Sequence, residues 1–184
     1  MNQTASSEAI NYKFRKTDYS INGMFLNENN SLISLATDKG YKIFESYNLK
    51  QVSEDEEIIE LLGDLQIAIP FYDSNLVFFV GSDSNLNFPS SQVVVWDDIK
   101  RKKIGVIMLK EKVYSLRVHR EAIYVQVFNK ILAFELKTLK FLFTLVDVNC
   151  LSPDKLLTSH ESNPVVLAYQ PASRLYQLKI AKCN

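Results

Sequence analysis

VYSLRVHREAIYVQVFNKILAFELKTLKFLFTL, residues 113–145, decides the fold class of this chain. Apolar and polar residues alternate along four short runs, which are separated by polar breaks at 119–121, 129–130 and 137–138. Alternation with a period of two predicts half-buried β-strands, and breaks this short predict hairpins between consecutive strands. The segment therefore predicts one antiparallel sheet of four short strands.

Clusters of such strands recur along the chain. They begin near Ile21, Ile67, Val113 and Val148, at intervals of about 35 to 46 residues, which is close to the roughly 40 to 45 residues of a WD-type blade. A single blade leaves both of its faces uncovered, so blades of this kind stack. A β-sandwich also uses short strands but does not require the repeat.

The sequence therefore predicts an all-β, WD40-like β-propeller of about four blades. A disordered tail at 1–10 precedes a propeller region at 11–184, with blades at about 20–50, 66–109, 113–145 and 148–181. Ser53 and Glu56 fit a capping box, which predicts a short helical excursion or an acidic loop between the first two blades.

Composition excludes several classes of function. Lysine plus arginine total 21, as do aspartate plus glutamate, and the zero net charge argues against nucleic acid as a partner. The two cysteines show no Cys-x-x-Cys spacing, and no apolar stretch approaches the roughly 18 residues of a spanning helix. His119 and His160 lack metal-ligand spacing, and no nucleophile or phosphate-loop motif is present, so we predict neither an enzyme nor a cofactor.

Two groups of basic residues are candidate sites. Lys100, Arg101, Lys102 and Lys103 follow the strand that ends at Trp96, where they form either a surface for an anionic partner or only a solvated turn. The second group, at the first turn of the third blade, comprises Arg117, His119 and Arg120, with Lys130 expected nearby. For both groups, and for the acidic run at 54–57, an ordinary solvated turn or loop is the favoured interpretation. Trp96 is predicted to lie in the core.

Four stretches together resemble the PROPPIN family, the WIPI-type propellers of autophagy. ISLATDKGYKIFE at 33–45 resembles the family's first-blade signature, and VVVWDDIKRKKIGVI at 93–107 resembles the end of its second blade. Residues 113–145 are similar to the third blade, and LSPD followed by NPVVLAYQPAS, within 151–173, to the fourth. The resemblance covers about residues 20–178 and implies the N-terminal four-blade part of a seven-bladed ring.

The resemblance also implies a function. PROPPINs bind membranes that carry phosphatidylinositol 3-phosphate through a Phe-Arg-Arg-Gly motif in blade five, and they bind autophagy proteins around blades two and three. This chain contains no Phe-Arg-Arg-Gly, and its nearest string, KFRKTD at 13–18, precedes blade one, so we assign no lipid-binding residues.

We therefore expect a non-enzymatic scaffold in autophagosome formation that keeps the protein-binding part of the family's activity. Its expected partners are proteins of the autophagy machinery, and its expected location is cytoplasmic, with the family's peripheral association to autophagic or endosomal membranes. The alternative is a generic WD40-like interaction propeller that is unrelated to lipid binding. A reading frame that continues into Phe-Arg-Arg-Gly would favour the first interpretation.

Overall fold

The computed structural model describes residues 18–52, 61–148, 156–158, 165–172 and 179–183, and these residues form fourteen β-strands. The strands build four antiparallel sheets in which neighbours in sequence are neighbours in the sheet. Three predictions lie outside the described residues: the tail at 1–10, the capping box at 53–56 with its acidic run, and His160.

The four sheets follow one another along the chain. Sheet one holds β1 (Ile21–Leu26), β2 (Leu32–Thr37) and β3 (Gly40–Glu45). Sheet two holds β4 (Leu65–Pro70), β5 (Leu76–Gly81), β6 (Gln92–Asp97) and β7 (Lys102–Met108). Sheet three holds β8 (Ser115–Val118), β9 (Ala122–Gln126), β10 (Lys130–Glu135) and β11 (Phe141–Val146). Sheet four holds β12 (Leu157–Thr158), β13 (Val165–Tyr169) and β14 (Lys179–Cys183). The four strands predicted between 113 and 145 are confirmed.

Consecutive sheets pack face to face, and three apolar clusters fill the spaces between them. Along β6, Val93 and Val95 face sheet three whereas Val94 and Trp96 face sheet one. A strand buried on both faces needs apolar residues at every position, which explains the unbroken run VVVW. Trp96 is 7% exposed, which confirms its predicted place in the core.

The turn after the third strand repeats in sheets one, two and three. In each, an aromatic residue and an acid end the strand, the acid accepts a hydrogen bond from the residue three positions later, and the next residue has positive φ. The aromatic–acid pairs are Phe44–Glu45, Trp96–Asp97 and Phe134–Glu135, and the residues with positive φ are Leu49 (57°), Arg101 (51°) and Leu139 (56°). We call these segments, at 45–50, 97–102 and 135–140, the rim turns.

Candidate functional site

The basic run at 100–103 does not lie wholly in a turn, which corrects the sequence-based placement. Lys100 and Arg101 are in the rim turn, but Lys102 and Lys103 are the first residues of β7. Strand pairing resumes early because Asp97 accepts a hydrogen bond from the Lys100 amide (2.9 Å) and closes the turn. Lys102 then lies opposite Asp97 and Lys103 opposite Trp96, so the two lysines belong to opposite faces of the sheet.

Half of this basic run is paired with the acids that precede it. The Lys100 ammonium lies 3.3 Å from Asp97, and Arg101 donates to Asp98 over 2.6 Å. Asp98 also accepts a hydrogen bond from the Tyr41 hydroxyl of sheet one. Burial and the nearby Asp98 carboxylate raise the pKa of Tyr41 far above its usual range, so the hydroxyl keeps its proton and donates it. Asp97 and Asp98 thus have different partners, because successive residues at a strand end point to opposite faces.

The stability of the second rim turn, at 97–102, is expected to depend on pH. The Lys100 amide, aided by Asn75 and the Lys100 ammonium, holds the pKa of Asp97 below its usual range. A carboxyl with a depressed folded pKa stabilises the fold above its unfolded value near 4, and the contribution is lost as pH falls through the folded value. The difference in unfolding free energy between wild type and Asp97→Asn should therefore shrink from pH 5 downward. Urea titrations at several pH values measure it, and parallel pH profiles would contradict the assignment.

A groove opens at the outer rim between sheets two and three. It has a volume of about 290 Å³, and an apolar set of side chains lines most of it: Leu76, Phe78, Val95, Ile104, Leu136 and Leu139, together with Gly105 and Lys137. Ile104 is the extra residue of a β-bulge, because Val95 pairs with Gly105 whereas Trp96 pairs with Lys103. We call this the rim groove.

The walls of the rim groove come from the strands of sheet two and from the third rim turn. The third rim turn supplies Leu136 and Leu139, and the Leu136 amide donates to the Glu121 carbonyl in the turn between β8 and β9 (2.8 Å). Phe141 is exposed at the start of β11 beside this turn. One basic side chain belongs to the lining, since Lys137 is solvent-exposed at its edge. The rim groove therefore combines an apolar floor with positive charge.

The structure does not bring together the four basic residues proposed from the third blade. Arg117 lies in the inner strand β8 and lines a central cavity, and His119 is buried. Lys130 starts β10 at the opposite end of the sheet and pairs with Glu111 (2.6 Å), so its expected place near Arg120 is wrong. Arg120 lies over the ring of Tyr72, which follows β4 of sheet two, 5.1 Å from the ring centroid. Whether any of the four binds a partner stays a prediction.

The central cavity has a volume of about 530 Å³ and is lined by residues of all four sheets. Thr158 of β12 donates across it to Glu28, which follows β1 (2.9 Å). Among the residues that the structure describes, no group of three His, Cys, Asp or Glu side chains is placed to hold a metal ion. In the same part of the chain, no helix has the length and apolar character needed to cross a membrane.

Sequence reasoning missed the apolar part of the rim groove. In the sequence, Ile104 and Leu139 look like ordinary strand and turn residues. The candidate sites were chosen by charge, so the neighbouring lysines were selected instead. The signal that would have found them is the repeat itself. The three rim turns can be aligned on the acids Glu45, Asp97 and Glu135. In this alignment the third turn, LKTLK, begins with an apolar residue, whereas its counterparts SYNLK and DIKRK begin with a polar one.

No family model matches the chain. Among curated proteins it is similar to SVP1-like protein 2 of Schizosaccharomyces pombe, with 26% identity over 161 residues, which are 87% of this chain and 43% of that protein. Among solved structures it is similar to Hsv2 of Kluyveromyces marxianus, with a TM-score of 0.71 and 21% identity over 89% of this chain and 48% of that one.

A second solved structure is the complex of KlAtg21 with the coiled-coil of AgAtg16, with a TM-score of 0.61 and 15% identity over 87% of this chain and 51% of the matched one. These likenesses confirm the propeller fold class and the predicted resemblance to the PROPPIN family. The chain spans about half the length of the relatives it matches.

Proposed function

We propose that this chain is a non-enzymatic, autophagy-related propeller scaffold that docks a protein partner in the rim groove. The observation that supports this proposal is the groove itself, because its open apolar floor is shielded from water only when a partner covers it. Its place between sheets two and three is where the PROPPIN resemblance implies a protein-binding surface.

The apolar lining and the lysine of the rim groove favour an amphipathic helix with an acidic flank as the partner. An apolar stripe on a helix fits a groove lined by Phe78, Leu136 and Ile104. An acidic side chain beside the stripe would meet Lys137 at the edge of the groove. Such charge pairs steer association and fix the register of the partner.

Similarity to KlAtg21 supports a helical partner, since that protein was solved with the coiled-coil of AgAtg16. The proposal does not include direct binding of phosphatidylinositol 3-phosphate, because the sequence contains no Phe-Arg-Arg-Gly. The chain would reach autophagic or endosomal membranes through the docked protein. We propose this for the chain as it stands.

The test measures binding of the AgAtg16 coiled-coil to the full chain by isothermal titration calorimetry. We expect wild type to bind and Ile104→Asp to bind at least about tenfold more weakly, because the change places a charge on the apolar floor. Lys137→Glu should weaken binding, since it reverses a charge at the groove's edge. The loss of affinity relative to wild type should be larger at low salt, where charges are screened less.

Met108→Asp is the matched control. Met108 lies on the same strand as Ile104 and is also exposed, but it lies at the far end of β7 and outside the groove. It should bind as wild type does, and circular dichroism should show both variants folded. No binding by wild type, or equal losses from Ile104→Asp and Met108→Asp, would overturn the proposal.

A further inference from the structure

The third rim turn, at 135–140, differs from the other two at the residue that closes it. In each rim turn the acid accepts a hydrogen bond from the residue three positions later, which is Asn48 in the first, Lys100 in the second and Thr138 in the third. Asn48 and Lys100 donate through amides, whereas Thr138 donates through a hydroxyl, which a protein kinase can phosphorylate. Of the three rim turns in the described chain, only the one that walls the rim groove therefore closes through a group that can carry a phosphate.

The Thr138 hydroxyl lies at the surface of a turn whose backbone is held by other bonds. Thr138 is solvent-exposed, and its hydroxyl donates to the Glu135 carboxylate. The Leu139 amide donates to the Glu135 carbonyl (2.8 Å), and the Glu135 amide donates to the Lys140 carbonyl (2.8 Å). A change at the hydroxyl therefore acts on the side chains of the turn and leaves its backbone closed.

The side chains next to Thr138 are those that a partner in the rim groove would meet. Leu139 lines the groove, and Lys137 stands at its edge. A phosphate on Thr138 would carry about two negative charges near pH 7 and would replace the hydroxyl that donates to Glu135. It would repel the Glu135 carboxylate and attract the Lys137 ammonium, so the edge of the groove would change from positive to negative.

We propose that Thr138 is a phosphorylation site and that its phosphate switches off partner binding in the rim groove. A protein kinase transfers the γ-phosphoryl group of ATP to Oγ1 of Thr138. The bond between that phosphorus and the ADP oxygen breaks, the Oγ1–phosphorus bond forms, and the hydroxyl proton passes to the kinase's base. The lysines at 137 and 140 give the hydroxyl a basic surrounding, which suits a kinase with an acidic substrate cleft. This inference rests on the proposed function, because it concerns the affinity of the groove for a helix with an acidic flank.

The first test asks whether the site is used. The full chain is produced in yeast cells, recovered with phosphatases inhibited, and mapped by peptide mass spectrometry. We expect phosphate on Thr138 and its loss from the same peptide in Thr138→Val, which keeps the shape of the side chain without the hydroxyl. Absence of phosphate from Thr138 in the wild-type chain would overturn the assignment.

The second test measures what the phosphate does. The full chain with phosphothreonine placed at 138 during translation is titrated with the AgAtg16 coiled-coil by calorimetry. We expect its affinity to be at least about tenfold lower than that of the unmodified chain, with a larger loss at low salt. Thr138→Val removes the hydrogen bond to Glu135 but adds no charge, so its affinity should stay within about threefold of wild type.

A phosphate on Ser84 is the matched control. Ser84 is also solvent-exposed and also donates to a carboxylate, that of Asp64 (2.5 Å), but it lies outside the groove. The chain phosphorylated there should bind as wild type does, and circular dichroism should show every form folded. Equal affinity of the Thr138-phosphorylated and unmodified chains would overturn this inference alone, as would equal losses from the two phosphates or an equal loss in Thr138→Val. No binding by the unmodified chain would overturn the proposed function, and this inference with it.

Discussion

Gly81→Ala is expected to lower the free energy of unfolding by about 4 kcal/mol or more, among the largest effects of a single methyl group. A Cβ at this position would lie 1.5 Å from the Phe88 carbonyl oxygen and 2.7 Å from its carbonyl carbon. Both are backbone atoms, so no side-chain rotation relieves the overlap. The loop between β5 and β6 would have to move as a whole.

That loop is held in place by Asn85, whose side chain is almost fully buried. Its amide donates to the carbonyls of Leu62 (2.8 Å) and Asp64 (2.9 Å), and its oxygen accepts from the Phe88 amide (2.9 Å). The Phe88 ring packs edge-on against Phe79, with centroids 5.1 Å apart. Displacing Phe88 therefore breaks buried hydrogen bonds and an apolar contact together, which is why the expected loss is large.

Urea denaturation followed by fluorescence of the single tryptophan measures the loss. Gly105→Ala is the matched control, since its Cβ would meet the terminal methyl of Leu139 at 2.7 Å, and a flexible side-chain end can shift. We expect this variant to lose about 1 kcal/mol. A Gly81→Ala protein that unfolds within about 1 kcal/mol of wild type would show that the loop is not fixed by its contacts.

The sheets were predictable from sequence because short hairpins leave a local signature. Residues 113–145 alternate with a period of two and break at short polar turns, and the structure places β8 to β11 there. Strand β6 carries no alternation, but its β-branched run and the acids after Trp96 mark a doubly buried strand and its end. In both cases the pattern depends on residues that are adjacent in the chain.

The rim groove was not predictable in the same way, because its walls come from separate sheets. Ile104 belongs to β7 and Leu139 to the third rim turn, and only the stacking of sheets two and three brings them together. The partners of the basic run were not predictable from its charge alone. The sequence shows Lys100 and Arg101 as a basic cluster, whereas the structure shows each paired with an acid three residues earlier.

Phe79→Ala is the second change expected to have a large effect, at about 3 to 5 kcal/mol of unfolding free energy. Phe79 is fully buried between sheets one and two, with its ring 5.1 Å from Phe88 and 6.2 Å from Trp96, measured between centroids. Truncation removes the apolar contacts of the whole ring and leaves a cavity between two rigid sheets, which limits how far the neighbours can close it.

Phe141→Ala is the comparison, because it makes the same Phe-to-Ala change at an exposed position. Phe141 is largely exposed on the edge strand β11, so its truncation should cost about 1 kcal/mol or less in the same urea denaturation experiment. Because Phe79 faces sheet one and Phe78 faces the rim groove, Phe79→Ala should also leave coiled-coil affinity unchanged under conditions where the variant is folded. Equal losses of stability from the two truncations would contradict the burial of Phe79 between the sheets. A loss of affinity by the folded Phe79→Ala protein would show that the interface between sheets one and two affects the rim groove.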